Sequence, residues 1–248
     1  MRRIGVIFCL VLFLASCAPP PPIDKNTLED YRLIARLRDR QFHSAAYLLD
    51  LRVDDAGRKF SVKTEIYVSG DSVGIYGRGF LGKGAFKANV IDDVVTIYFA
   101  SENEYFTGPL AELDAGGDCA APGEVMLCAL SLLTAKDAVA ATRDVLYPTR
   151  NEIRYRSGRF DRTVRLDPRG YPESEKLIDP ACGDSIVVTY ADPSRQFPFF
   201  KTQDVLYYND RYDFRARGFV REQKYNIDLS LKKFQVDIPQ SASRLDNL

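Results

Sequence analysis

Apolar and polar positions follow two different periods along this chain. Leu28, Tyr31, Ile34 and Ala35 recur at the three-and-four spacing of one helix face. Asn26 in front of them and Glu29 three residues later make a capping-box pattern, which predicts a helix from Asn26 to about Arg40. From Tyr47 the period drops to two. Tyr47, Leu49, Leu51 and Val53 alternate with Leu48, Asp50 and Arg52, and Phe60, Val62, Thr64, Ile66 and Val68 alternate with Ser61, Lys63, Glu65 and Tyr67. Ser69-Gly-Asp turns the chain into an extended run over Ser72–Phe80. Phe86, Ala88 and Val90 follow, and Asp92-Asp93 leads into Val94–Phe99. Five strands joined by short turns predict an antiparallel meander with one wet and one dry face.

The middle of the chain breaks this rhythm. Gly116-Gly-Asp-Cys reads as a loop, and Val125 to Leu146 has a helical pattern, best divided into two short helices around Thr134–Asp137. Alternation returns at Ile153 and Tyr155, then over Phe160–Leu166, Tyr171–Ile178 and Ile186–Tyr190. Tyr212, Phe214 and Ala216 continue it, followed by Tyr225, Ile227, Leu229 and Leu231. Phe234, Val236 and Ile238 carry the opposite parity, which predicts a bulge at Lys232-Lys233. The expected fold is therefore mainly β. It is a single unclosed antiparallel β-barrel of about ten or eleven strands, with an N-terminal helix and a mid-chain helical insertion covering an apolar cavity. Such a concavity suits an apolar ligand. A filled core without a cavity is the alternative reading of the same alternation.

The ends and the charge add a location. Arg2 and Arg3 precede the apolar run Ile4–Leu14, whose eleven residues suit a secretory signal and fall short of the ~20 needed to span a bilayer. Leu14-Ala15-Ser16-Cys17 resembles the bacterial lipobox, which implies cleavage before Cys17, diacylglycerol on its thiol and an acyl group such as palmitate on its amine. Ala18 follows rather than Asp, pointing to the outer membrane, with the domain facing the periplasm. Pro19 to Pro22 form a polyproline stalk. The expected division is residues 1–16 signal peptide, 17–25 lipidated cysteine and stalk, and 26–248 one folded domain. Removing residues 1–16 leaves 32 basic against 34 acidic residues, a net charge of about −2. No basic excess draws in nucleic acid.

The residues offer little chemistry. His43 is the sole histidine and sits in a patterned segment, so a Ser-His-Asp or Cys-His site is not expected. Gly77 to Gly82 reads GRGFLG, but alternation resumes at Phe86 where a dinucleotide loop would open a helix. Asp54-Asp55 and Asp92-Asp93 read as turns. No metal ligand set, cofactor motif or catalytic residue stands out, and a binding protein is expected rather than an enzyme. A paired-carboxylate hydrolase would need two carboxylates about 5–9 Å apart in a cleft. Cys119, Cys128 and Cys182 allow a disulfide with one thiol left over. Cys119 and Cys128, close in sequence across Ala-Ala-Pro-Gly, are the favoured pair, with the others open.

Several of these pieces together resemble LolB, the outer-membrane branch of the LolA/LolB lipoprotein-localisation superfamily. They are the lipobox, the leading helix, the turn Phe80-Leu-Gly-Lys-Gly-Ala-Phe86, the stretch Asp144-Val-Leu-Tyr-Pro148 and the run Tyr225–Val236. The family is rich in Trp and has Pro before the turn leucine; here Trp is absent and Phe80 takes that place. The resemblance implies an unclosed barrel whose cavity holds acyl chains of lipoproteins or other lipids, without covalent chemistry. It implies delivery by a LolA-like periplasmic carrier, and an exposed membrane-inserting tip at Leu81, next to Phe80. A structural or regulatory lipoprotein that uses the same scaffold to bind a partner or sense lipids is the alternative.

Overall fold

The computed structural model describes residues 27–79, 84–110, 145–149, 151–157, 160–191, 199–209 and 213–245. Helix α1 (Thr27–Gln41) is followed by six strands: β1 (Ser44–Asp55), β2 (Arg58–Ser69), β3 (Ser72–Arg78), β4 (Gly84–Ile91), β5 (Val94–Phe99) and β6 (Glu104–Pro109). Seven more are β7 (Val145–Thr149), β8 (Glu152–Ser157), β9 (Phe160–Leu166), β10 (Pro172–Ile178), β11 (Asp184–Ala191), β12 (Lys201–Asn209) and β13 (Phe214–Tyr225). A short β14 (Ser243–Arg244) ends the series. All belong to one sheet in the order β14-β6-β5-β4-β3-β2-β1-β13-β12-β11-β10-β9-β8-β7. The pairs are antiparallel except β14 on β6. The edges β7 and β14 do not meet, so the sheet is unclosed. No described helix is long and apolar enough to cross a membrane.

The expected strands are present except the closing one beyond Tyr225, and β6, β7, β12 and β14 are added to them. Two boundaries differ from the sequence reading. Val145 and Leu146, expected in a helix, lie in β7 and pair with Tyr155 and Arg154. Pro148 follows in a strand that has only one neighbour, where a missing N–H does no harm. The rest of the expected helical insertion lies outside the described residues.

The second difference concerns the expected closing strand from Tyr225. Here the ladder stops, because Asn226 takes the left-handed conformation (φ 51°) and leaves the sheet. Its side chain accepts the His43 N–H at 2.9 Å and donates to the Gln41 carbonyl at 2.8 Å, which fixes the exit point. The segment beyond is a strap across the outer face of β2–β4. Tyr76 donates its hydroxyl to the Lys232 carbonyl, and Asn89 donates to the Phe234 carbonyl at 2.7 Å. The parity change assigned to a bulge is a 3-10 turn at Leu231–Phe234.

Opposite residues of paired strands share a face, so the register sorts the inside from the outside. One inner row runs Tyr47, Ile66, Ile75, Ala88, Ile97, Phe106 across β1–β6. The outer face carries Tyr67, Gly74, Asn89, Thr96 and Thr107.

Candidate functional site

The inner face has two halves of different character. Over β8–β12 it lies beneath α1. Tyr31 packs with Ile153, Tyr155, Val164 and Leu166, and Ile34 joins Phe160, Leu177, Ile186, Val188, Tyr190 and Phe200. Within this apolar bed sit charges. Glu175 is 1 % exposed, accepts the Tyr31 hydroxyl at 3.0 Å and receives Arg162, itself 4 % exposed. Arg38, on the same helix face as Tyr31 and Ile34, stacks over Phe200 with its guanidinium carbon 5.1 Å from the ring centre. Burial drives the Tyr190 phenol well above its usual value, reinforced by Glu175 and opposed by Arg38 and Arg162. These groups were legible as exceptions to the pattern. Arg162 shares parity with apolar Val164 and Leu166, and Glu175 with Leu177.

Over β1–β6 the inner face is mostly apolar, with Thr64 buried opposite Leu49 and Glu104 beside Phe99 at its edge, and among the described residues no part of α1 joins its cluster. Burial changes along the strands. Near the α1 junction Ala45, Val68, Val73, Val90 and Val95 are all buried. One row further on, Ile75 and Ile97 are only half-buried, and in the next row so are Phe86 and Phe99. At the far end Phe60, opposite Val53, is 52 % exposed. Gly77 is required in this region, because the Phe86 ring lies across it where a β-carbon would stand. Tyr47 and Tyr225 close the near end edge to face, with ring centres 6.1 Å apart. Burial raises both phenols, Tyr47 the more strongly.

The glycine pattern begins in the half-buried row of this face, at Gly77. Gly77 and Arg78 pair with Phe86 and Gly84, so the segment joins β3 to β4 and no helix follows it. Phe80 and Leu81 themselves lie outside the described residues, as do Cys17, Cys119 and Cys128, with their favoured pairing. Cys182 is disulfide-bonded, so it is not the odd thiol. Its sulfur and the carboxylates of Asp179 and Asp184 lie within 4.8 Å of one another. The sulfur is committed, however, and Asp184 already accepts from Tyr207 at 2.7 Å and Asn209 at 2.6 Å. This cluster ties the β10–β11 turn rather than forming a ligand set. His43 is exposed.

The fold thus defines a mainly-β protein built on a curled, unclosed sheet with a helix on part of its inner face. No family model matches the chain, and no curated protein does. Among solved structures, it is similar to a LolA superfamily protein from Nitrosomonas europaea at 10 % identity, covering 83 % of this chain and 97 % of that one, with a TM-score of 0.47. A putative outer membrane lipoprotein-sorting protein domain from Vibrio parahaemolyticus is similar at 11 % identity (84 % and 97 % covered, TM-score 0.46). A DUF1329 family protein from Desulfovibrio piger is similar at 12 % identity (84 % and 97 %, TM-score 0.45). The architecture itself rests on the strand ladders.

Proposed function

We propose that this chain is a binding protein for acyl chains, anchored to the outer membrane through Cys17 and facing the periplasm. In this reading it receives the acyl groups of lipoproteins, or of another lipid, from a LolA-like carrier and helps pass them to the membrane. The observation that carries the reading is the partial exposure of inner-face apolar residues on β3–β5, while Val53 and Val62 stay buried on β1 and β2. A filled core would bury Ile75, Phe86, Ile97 and Phe99 as fully as Val73 and Val90; instead they stay partly open toward the β3–β4 turn.

The energetics favour such a device. An acyl chain of about a dozen methylenes loses roughly 10 kcal/mol of favourable burial if released into water, at ~0.8 kcal/mol per CH₂. A dry face beside the bilayer removes that barrier. Phe80 and Leu81, at the turn beyond the open rows, would touch the interface. No step in this scheme requires a nucleophile or a general base.

The test is uptake of a fluorescent fatty acid by residues 17–248 carrying Cys17→Ala, with native mass spectrometry for co-purified lipid. Uptake with displacement by unlabelled fatty acid is expected. Leu81→Glu should leave uptake and melting temperature unchanged while abolishing transfer to vesicles. A protein that neither carries nor takes up lipid would end the acyl-binding reading.

A further inference from the structure

The outer face of β8–β11 holds a cleft of about 900 Å³. Its wall is a grid set by strand register. Thr163 on β9 stands opposite Arg154 on β8 and Lys176 on β10, and Arg165 stands opposite Glu152 and Ser174. A third row brings Arg156 opposite Asp161. Besides the buried Arg162, the cleft therefore collects four cations, Arg154, Arg156, Arg165 and Lys176, against two carboxylates, in a chain with no net charge.

The two acids are already engaged. Glu152 holds Arg154 at 2.6 Å, and Asp161 lies 3.8 Å from Arg156. Arg165 and Lys176 have no carboxylate within ion-pair distance among the described residues. They occupy opposite corners of a four-residue square whose other corners are the hydroxyls of Thr163 and Ser174. Neighbours across strands stand about 5 Å apart and those along a strand about 7 Å, so two long cationic side chains and two hydroxyls rise from one patch of this face, within reach of one anion. The Lys176 ammonium, 5.9 Å from the Tyr208 ring centre, keeps to this face.

We propose that this cleft binds the phosphate of an anionic phospholipid headgroup, with Arg165 and Lys176 as the charged contacts and Thr163 and Ser174 as hydrogen-bonding partners. The choice of a membrane as the source of that phosphate rests on the anchored, lipid-handling reading above. The chemistry of the cleft does not. Because the chain as a whole carries no net positive charge, attraction to an anionic bilayer must come from this face and must weaken as salt shortens the Debye length below the ~10 Å of 0.1 M solution.

Vesicle co-sedimentation of residues 17–248 with Cys17→Ala tests the proposal. Binding to phosphatidylcholine vesicles doped with phosphatidylglycerol is expected at low salt, with little binding to phosphatidylcholine alone. Arg165→Glu with Lys176→Glu should weaken binding at least about tenfold at an unchanged melting temperature. Arg165→Gln with Lys176→Gln serves if charge reversal disturbs folding. Inorganic phosphate should displace the protein from vesicles more than chloride at equal ionic strength. Equal binding to both vesicle types, or an unaffected double variant, overturns the assignment. Phosphate binding without vesicle binding overturns the membrane source. Fatty-acid uptake by the same variants should stay normal. Vesicle binding by a wild-type protein that takes up no fatty acid would sink the acyl reading while leaving this one standing.

Discussion

The carbonyl oxygen of Lys233 occupies the space that a β-carbon on Gly74 would need. Glycine stands there because the strap lies directly on the backbone of β3, not because of an unusual conformation. Gly74→Ala must push the strap outward, at a cost of about 1–3 kcal/mol for forced overpacking. A lowered urea midpoint and faster protease cleavage between residues 227 and 245 are the expected results. An alanine variant as stable and as resistant as wild type would mean that the strap yields freely.

The buried pair Arg162–Glu175 gives a second expectation. Glu175→Gln leaves a guanidinium without its carboxylate in an apolar bed, and such losses run to about 3–5 kcal/mol. Tyr31→Phe removes only one neutral donor to the carboxylate and should cost about 1 kcal/mol, or somewhat more for a charged acceptor. Arg162→Met with Glu175→Leu should recover most of the loss. Chemical denaturation of the three variants decides it. If Glu175→Gln costs no more than Tyr31→Phe, the Arg162–Glu175 pair adds nothing beyond the Tyr31 contact.

Phe60 separates binding from stability. Its ring is half exposed at the open end of the inner face. Phe60→Thr puts a β-branched residue with good strand propensity in β2 and should change stability by no more than about 0.5 kcal/mol. If acyl chains lie along the face, affinity for fatty acid should drop roughly fivefold, the equivalent of about 1 kcal/mol of lost apolar contact. Unchanged affinity would place the chain elsewhere.

Alkaline pH should weaken the fold. Burial raises the phenols of Tyr47, Tyr190 and Tyr225. At the strap, Lys233 donates to the Tyr67 hydroxyl at 2.8 Å, which raises the ammonium's affinity for its proton. In each case the folded state holds protons that the unfolded chain gives up. Stability is therefore full below about pH 10, the ordinary tyrosine value, and falls as pH climbs through the raised folded values. Urea midpoints measured from pH 8 to pH 11 should decline only at the upper end, with tyrosinate absorbance rising in step with unfolding.

Local pattern was enough for much of this protein. Period-two alternation placed β1–β5 and the strands from Ile153 to Tyr190, because a residue on a sheet with one dry face shows its side in its polarity. The helix face of Tyr31, Ile34 and Ala35 was equally plain, and the turn after Gly77 was recognisable as strand-to-strand from what followed it. Alternation reports burial but not hydrogen-bond partners, however. Ile227 and Leu229 alternate as a strand does and are half-buried as expected, yet they belong to a strap lying on a sheet face, since one left-handed residue, Asn226, took the backbone out of the ladder. Tertiary structure alone decided that Glu175 and Arg162 would pair within an apolar bed, that Lys233 would press on Gly74, and that Arg165 and Lys176 would stand diagonally on neighbouring strands. Each is set by register or by contact between residues distant in sequence. The sequence determined which side of each strand is dry; only the fold decided which dry sides are covered and which polar sides face one another.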